Sequence, residues 1–204
     1  MTKVKICGLL QVEHVKAAVD AGADAIGFLF APSSRQVTIQ KAKELAQAIP
    51  ERILKIGVFV DATRDEIEQA YKEVPLDYIQ FHGNESPEFI KKIGLPSIKA
   101  LSVHSVEDVR KAASFDVDYL LFDTPGEEFK GGSGKTFDWR LLSDAGIPAS
   151  KLILAGGLNV DNVGEAIRRV QPYMVDVSSG VEKNSKKDEK LIHKFIRAAK
   201  DEER

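Results

Sequence analysis

The sequence predicts an α/β protein, a single (β/α)8 barrel of the TIM type that forms one domain over residues 1–204. Three observations predict it. Eight short apolar, β-branched runs alternate with amphipathic stretches of helical period. No linker or low-complexity segment interrupts them. Residue types able to do chemistry collect just after the carboxyl ends of the runs, not before their amino ends.

The runs occupy 4–7, 25–30, 55–60, 78–81, 97–101, 119–122, 152–154 and 175–177. Their nearly continuous apolar character suits parallel strands covered by helices. Between them, Val12, Val15 and Val19 share one helical face, as do Ile39, Ala42, Leu45, Ala46 and Ile49. Val163, Ala166, Ile167 and Val170 repeat the pattern, and Leu191, Ile192, Phe195, Ile196 and Ala199 close it. This i, i+3, i+4 spacing turns apolar groups to a sheet and charges to water. Ser86-Pro87-Glu88 and Ser105-Val106-Glu107-Asp108 read as capped helix starts. Gly22, Gly94 and Gly146 read as helix ends. Each βα unit has only about 25 residues, close to the shortest crossover that can join parallel strands. Eight uninterrupted units favour a closed barrel over an open sheet, and most loops must be short.

Composition narrows the function. Lys plus Arg total 29 and Asp plus Glu total 31, for a formal net charge of −2. A near-neutral chain without a basic block is a poor nucleic-acid binder. The apolar runs are too short to span a bilayer, and residues 1–5 lack the apolar core of a secretory signal. One cysteine excludes an internal disulfide and fits a reducing, cytoplasmic setting. No exposed apolar stripe is evident, so the expected state is a monomer whose partner is a small molecule.

In a barrel of this kind, chemistry sits at the carboxyl ends of the strands. Cys7-Gly8 follows the first run, Arg35 the second, Asp61 the third, His82-Gly83 the fourth and Asp123-Thr124 the sixth. Gly156-Gly157 follows the seventh and Ser178-Ser179-Gly180 the eighth. Small residues at two adjacent strand ends let backbone N–H groups approach an anion, which points to phosphate. The segment Gly131-Gly132-Ser133-Gly134-Lys135-Thr136 lacks the first glycine of a P-loop, since Phe129 stands there. It reads as an active-site lid or a plain surface loop. Cys7 reads either as a small core residue or as a strand-end base that needs help to ionise. Asp123 reads as a helix cap, a salt-bridge partner or a proton donor. His82 reads as orienting a ligand or as bonding to a neighbouring loop, with the indirect role favoured, and Arg35 reads as either a solvated charge or a carboxylate clamp. Asp61 and Asp176 read as structural. No spacing suggests a metal site or a dinucleotide fingerprint, so no cofactor is expected.

Several segments, taken in order, carry a more specific signal: Lys5-Ile6-Cys7-Gly8, Gln80-Phe81-His82-Gly83, Phe122-Asp123 and Gly131-Gly132-Ser133-Gly134 with Phe137-Asp138-Trp139. Leu154-Ala155-Gly156-Gly157-Leu158 and Val175-Asp176-Val177-Ser178-Ser179-Gly180-Val181-Glu182 complete the set. Together they resemble the phosphoribosylanthranilate isomerase family of tryptophan biosynthesis across nearly the whole chain. The chain departs from the family's usual residues at Phe81, Ser34, Val160 and Met174, all flanking or packing positions.

The resemblance implies a cofactor-free Amadori rearrangement of N-(5-phosphoribosyl)anthranilate. It assigns the acid to Asp123 and the base to Cys7. It sets the substrate carboxylate on Arg35 and the phosphate on Gly156, Gly157, Ser178, Ser179 and Gly180. His82 joins the ligand-binding set. Related barrels fit less well. A histidine-pathway sugar isomerase resembles a duplicated half-barrel with a carboxylate where Cys7 stands. Indole-glycerol-phosphate synthase requires a lysine acid and extra N-terminal residues. A non-catalytic phosphate-binding barrel would have no use for both Cys7 and Asp123.

Overall fold

The computed structural model describes residues 1–124, 136–142 and 146–202. Eight parallel strands close a barrel in chain order: β1 (Lys3–Cys7), β2 (Ala25–Leu29), β3 (Leu54–Phe59), β4 (Tyr78–Phe81), β5 (Ser97–Ser102), β6 (Tyr119–Asp123), β7 (Leu152–Leu154) and β8 (Met174–Val177). The seam is the pairing of β1 with β8, which sets Lys5 beside Asp176. The helices are α1 (Val12–Ala21), α2 (Ile39–Ala46), α3 (Arg64–Glu73), α4 (Pro87–Ile93), α5 (Val106–Lys111), α6 (Val163–Val170) and α7 (Glu189–Asp201). A two-stranded hairpin, β9 (Glu182–Lys183) and β10 (Lys186–Lys187), lies between β8 and α7.

The expected boundaries and caps have visible causes. Ser86 accepts the Phe89 N–H at the start of α4, with Pro87 in the first turn, where a missing N–H costs nothing. Asp108 accepts the backbone N–H groups of His104 and Ser105 and so closes the start of α5. Gly22 and Gly94 end α1 and α4 in the left-handed conformation. The connection from β6 to β7 differs from expectation. Its described residues form only 3-10 turns at Trp139–Leu142 and Ala149–Lys151, and Gly146 follows no described α-helix. Pro148 and Gly146 break helical continuity there, while Phe137 and Leu142 still tuck into the core.

Alternation along the strands makes two apolar layers. Val4, Ile6, Ile26, Phe28, Phe81 and Phe122 face outward and are buried under the helices. Ala25, Ile56, Ile98, Leu121, Ile153 and Met174 fill the barrel itself. Side chains two apart share a face. The inward set therefore includes Lys5 and Cys7 on β1, Gln80 with His82 beyond it on β4, and Leu121 and Asp123 on β6. On β8 it includes Asp176, with Ser178 beyond it.

Lys5 is fully buried, and its ammonium sits 2.7 Å from Asp176 Oδ2. Gly27 on β2 makes the room: a Cβ there would lie 2.7 Å from Cys7 Sγ and 3.0 Å from Lys5 Cε. Burial alone would lower the Lys5 pKa. The Asp176 carboxylate, with Cys7 beside it, turns the shift upward, so the ammonium stays charged. Removing one member of such a pair strands the other in the interior. Asp176→Ala is therefore expected to cost about 3–5 kcal/mol in urea unfolding. Lys5→Met with Asp176→Leu should recover most of that loss, and a loss under about 1 kcal/mol for Asp176→Ala would contradict the pairing argument.

Candidate active site

The inward positions of four strands meet at the carboxyl mouth of the barrel. Cys7 ends β1, Asp123 ends β6, His82 follows β4 and Ser178 follows β8. Polar contacts join them. Lys5 Nζ donates to Gln80 Oε1 across the barrel at 2.9 Å, besides its bond to Asp176, and its charge acts on the Cys7 thiol. Gln80 Nε2 lies 3.1 Å from His82 Nδ1. His82 Nε2 in turn lies 3.5 Å from Asp123 Oδ2. Base candidate and acid candidate thus stand in one mouth, linked through three intervening side chains.

Their exposures differ in a way that matters chemically. The side chains of His82 and Asp123 are 32% and 28% exposed, so a ligand can reach them. Cys7 is only 9% exposed. Burial pushes its thiol up. The charges of Lys5 and Lys187 pull it down and that of Asp176 pushes it up, and the net shift is upward.

A second charged group forms the wall beside Cys7. Arg35 Nε and Nη2 donate to the two carboxylate oxygens of Glu182 at 2.7 and 2.9 Å. Lys187 Nζ binds Glu182 Oε1 at 2.8 Å and the Ser178 carbonyl at 2.8 Å. Ser178 Oγ donates to the Cys7 carbonyl at 3.2 Å. Arg35, expected to grip a substrate carboxylate, here holds a protein carboxylate with part of its guanidinium. Burial alone would raise the Glu182 carboxyl, but hydrogen bonds from Arg35 and Lys187, with their charges, hold it down at about 2.

The loops after β7 and β8 interlock. Gly156 has φ +86°, and a Cβ there would lie 2.2 Å from the Thr124 backbone nitrogen. A Cβ on Gly180 would lie 1.8 Å from the Leu158 carbonyl oxygen. Only glycine fits at either place. The backbone N–H groups of Gly156, Gly157, Ser179 and Gly180 find no acceptor among the described residues. Such unpaired donors, gathered at loop and short-helix starts, suit an anion.

Asp61 and Glu85 keep the His82 loop in place. Asp61 accepts the Asn84 N–H at 2.6 Å, and Glu85 accepts the N–H groups of Asp61 and Gly83. Lys99, buried, pairs with Glu85 at 2.7 Å. The glycine-rich stretch 131–135, expected as a lid or surface loop, lies outside the described residues.

Sequence reasoning gave no role to Lys5, Gln80, Glu182 or Lys187. For Lys5 a signal existed: one charge in an apolar run, two residues before Cys7 and therefore on the same face. For the Arg35–Glu182 pair no local signal exists, because 147 positions separate the partners.

Comparison with known proteins gives the family. The family model described as N-(5'phosphoribosyl)anthranilate (PRA) isomerase matches residues 4–198. The chain belongs to that family. The N-(5'-phosphoribosyl)anthranilate isomerase of Bacillus mycoides is 51% identical over 202 residues, covering 98% of each chain. Among solved structures, monomers generated from the dimeric family member of Thermotoga maritima superpose with a TM-score of 0.87 at 36% identity, over 98% of this chain and all of that one. A family member in complex with reduced 1-(O-carboxyphenylamino)-1-deoxyribulose 5-phosphate gives a TM-score of 0.85 at 36% identity, with the same coverage.

The depressed Glu182 carboxyl makes a stability prediction. Its folded pKa of about 2 lies below the ordinary 4.5, so its contribution is complete above about pH 5 and is lost as pH falls toward 2. The difference in melting temperature between the wild type and Glu182→Gln is expected to be largest near neutrality and to shrink across that acid window. A constant difference from pH 7 to pH 3 would contradict it.

Proposed function

We propose that this chain converts N-(5'-phosphoribosyl)anthranilate to 1-(2-carboxyphenylamino)-1-deoxyribulose 5-phosphate, an Amadori rearrangement in tryptophan biosynthesis, with Asp123 as general acid and Cys7 as general base. One observation carries the reading: a thiol and a reachable carboxyl group stand at inward strand ends of one mouth, beside loops with unpaired backbone donors.

The steps follow from those groups. Protonated Asp123 gives its proton to the furanose ring oxygen. The bond from that oxygen to C1 breaks as the anthranilate nitrogen lone pair forms a C=N bond. The resulting iminium is the electron sink, so no cofactor is called for. The Cys7 thiolate then takes the proton from C2, and the C2–H electrons move toward nitrogen to give an enolamine. Ketonisation places a proton on C1 and removes one from the C2 hydroxyl, so the net change is an isomerisation. Lys5 and Lys187 favour the thiolate against the burial that opposes it.

Binding divides between two walls. Gly156, Gly157, Ser178, Ser179 and Gly180 take the phosphate through main-chain N–H groups and hydroxyls. Arg35, already oriented by Glu182, takes the anthranilate carboxylate. His82 stands between the acid and the barrel interior. The fine assignments extend to the molecule's setting. The single-domain reading of 1–204 is supported by a seam that joins β1 to β8. A monomer is supported by Met1 being the only exposed large hydrophobic residue among those described. A cytoplasmic location is supported by the free thiol. No described helix is long and apolar enough to cross a membrane.

Loss of phosphoribosylanthranilate fluorescence on adding the protein tests the activity directly. Cys7→Ala and Asp123→Asn are each expected to lower kcat by at least about 100-fold while leaving the fold intact. Near-normal turnover in either variant would remove the role assigned to it. Arg35→Ala should mainly raise KM, because the carboxylate is held throughout the reaction. A large fall in kcat at constant KM would contradict that.

A further inference from the structure

The contact between Gln80 and His82 can be read further, because its two ends are chemically constrained. A lysine ammonium only donates hydrogen bonds. Lys5 Nζ lies 2.9 Å from the Gln80 side-chain oxygen, so that oxygen must face Lys5. Lys5 is itself held from the other side by Asp176 and is fully buried, so it cannot turn away. The Gln80 amide therefore has one orientation, and its NH2 faces His82 Nδ1 at 3.1 Å. Gln80 is 1% exposed, so water is not free to replace either partner. An NH2 group only donates, so His82 Nδ1 must accept. The ring proton then sits on Nε2, which faces Asp123 Oδ2 at 3.5 Å.

We propose that Gln80 is a positioning residue that fixes His82 as its Nε2–H tautomer, so that the ring presents a donor to the Asp123 carboxyl group. The inference rests on the reading of Asp123 as the acid and adds what prepares that acid. The contact of 3.5 Å is long for a hydrogen bond and shortens with a small turn of either side chain, as such contacts do when a ligand closes on them. With Oδ2 engaged by the imidazole N–H, the transferable proton is confined to Oδ1. Once the proton has moved to the sugar, the same N–H steadies the carboxylate left behind. The opposite tautomer would set an N–H against the amide NH2, a repulsive contact in place of an attractive one.

The test is nitrogen NMR of protein labelled in its histidine rings, with no substrate present. The chain has four histidines, so His82→Asn identifies the signal by its loss. At neutral pH, His82 is expected to show a bare Nδ1 and a protonated Nε2. Gln80→Glu places an acceptor against Nδ1 and should move the ring proton to that nitrogen. Its kcat should fall by about tenfold or more while KM stays within about threefold, since the binding walls are untouched. Gln80→Met, close in shape but lacking the amide, should release the ring to sample both tautomers. A proton on Nδ1 in the wild type, or a wild-type pattern retained in Gln80→Glu, would overturn the proposal, and the wild-type spectrum decides even if a variant does not fold. If the wild type lacks isomerase activity yet shows the Nε2–H ring, the function reading fails and the tautomer assignment stands.

Discussion

One buried charge pair organises this molecule. Lys5 and Asp176 are register neighbours on the strands that close the barrel, and the ammonium lies wholly out of water. An unpaired ammonium could not be kept there, so the pair ties the first strand to the last. Because lysine has three protons and no lone pair, it also imposes direction on its surroundings. One bond goes to Asp176 and one crosses to Gln80, and the charge acts on Cys7 beside it. Groups at the mouth inherit their orientation from a cation one layer below them.

The outer wall repeats this logic at the surface. Glu182 gathers Arg35 and Lys187, and Lys187 with Ser178 reaches the backbone of Cys7. Two cations against one carboxylate leave this wall positive on balance, the sign an anionic ligand needs. The same surplus lies close enough to Cys7 to offset part of the burial that opposes its ionisation. Binding and proton transfer therefore draw on one set of charges, which couples them electrostatically.

Much of this was legible in the chain itself. The eight strands stood out because both faces of a parallel barrel strand are buried, which leaves near-continuous apolar runs such as 119–122. Ser86 and Gly94 marked α4 because capping is local chemistry, decided within one turn. Strand ends located Cys7, His82, Asp123 and Ser178, since alternation and a shared direction bring them to one rim. What escaped was pairing across the chain. Lys5 looked ordinary in a short run, and nothing near Arg35 announces Glu182. The stretch between β6 and β7 misled for a different reason. Gly146 resembles a helix end, but a left-handed glycine also serves a plain turn, and Pro148 favours that use.

The amino end of the barrel is built quite differently. Tyr78, Tyr119 and Tyr173 gather beneath the inner apolar layer, with Tyr119 stacked on Tyr173 at 4.8 Å and Tyr78 edge-on to Tyr119 at 5.5 Å. Ile56, Leu121 and Ile153 above them are inaccessible to solvent. Among the described residues, this aromatic floor closes the amino end of the barrel. A ligand that comes in at the carboxyl mouth, where Asp123 and His82 are exposed, finds no exit through that packed end.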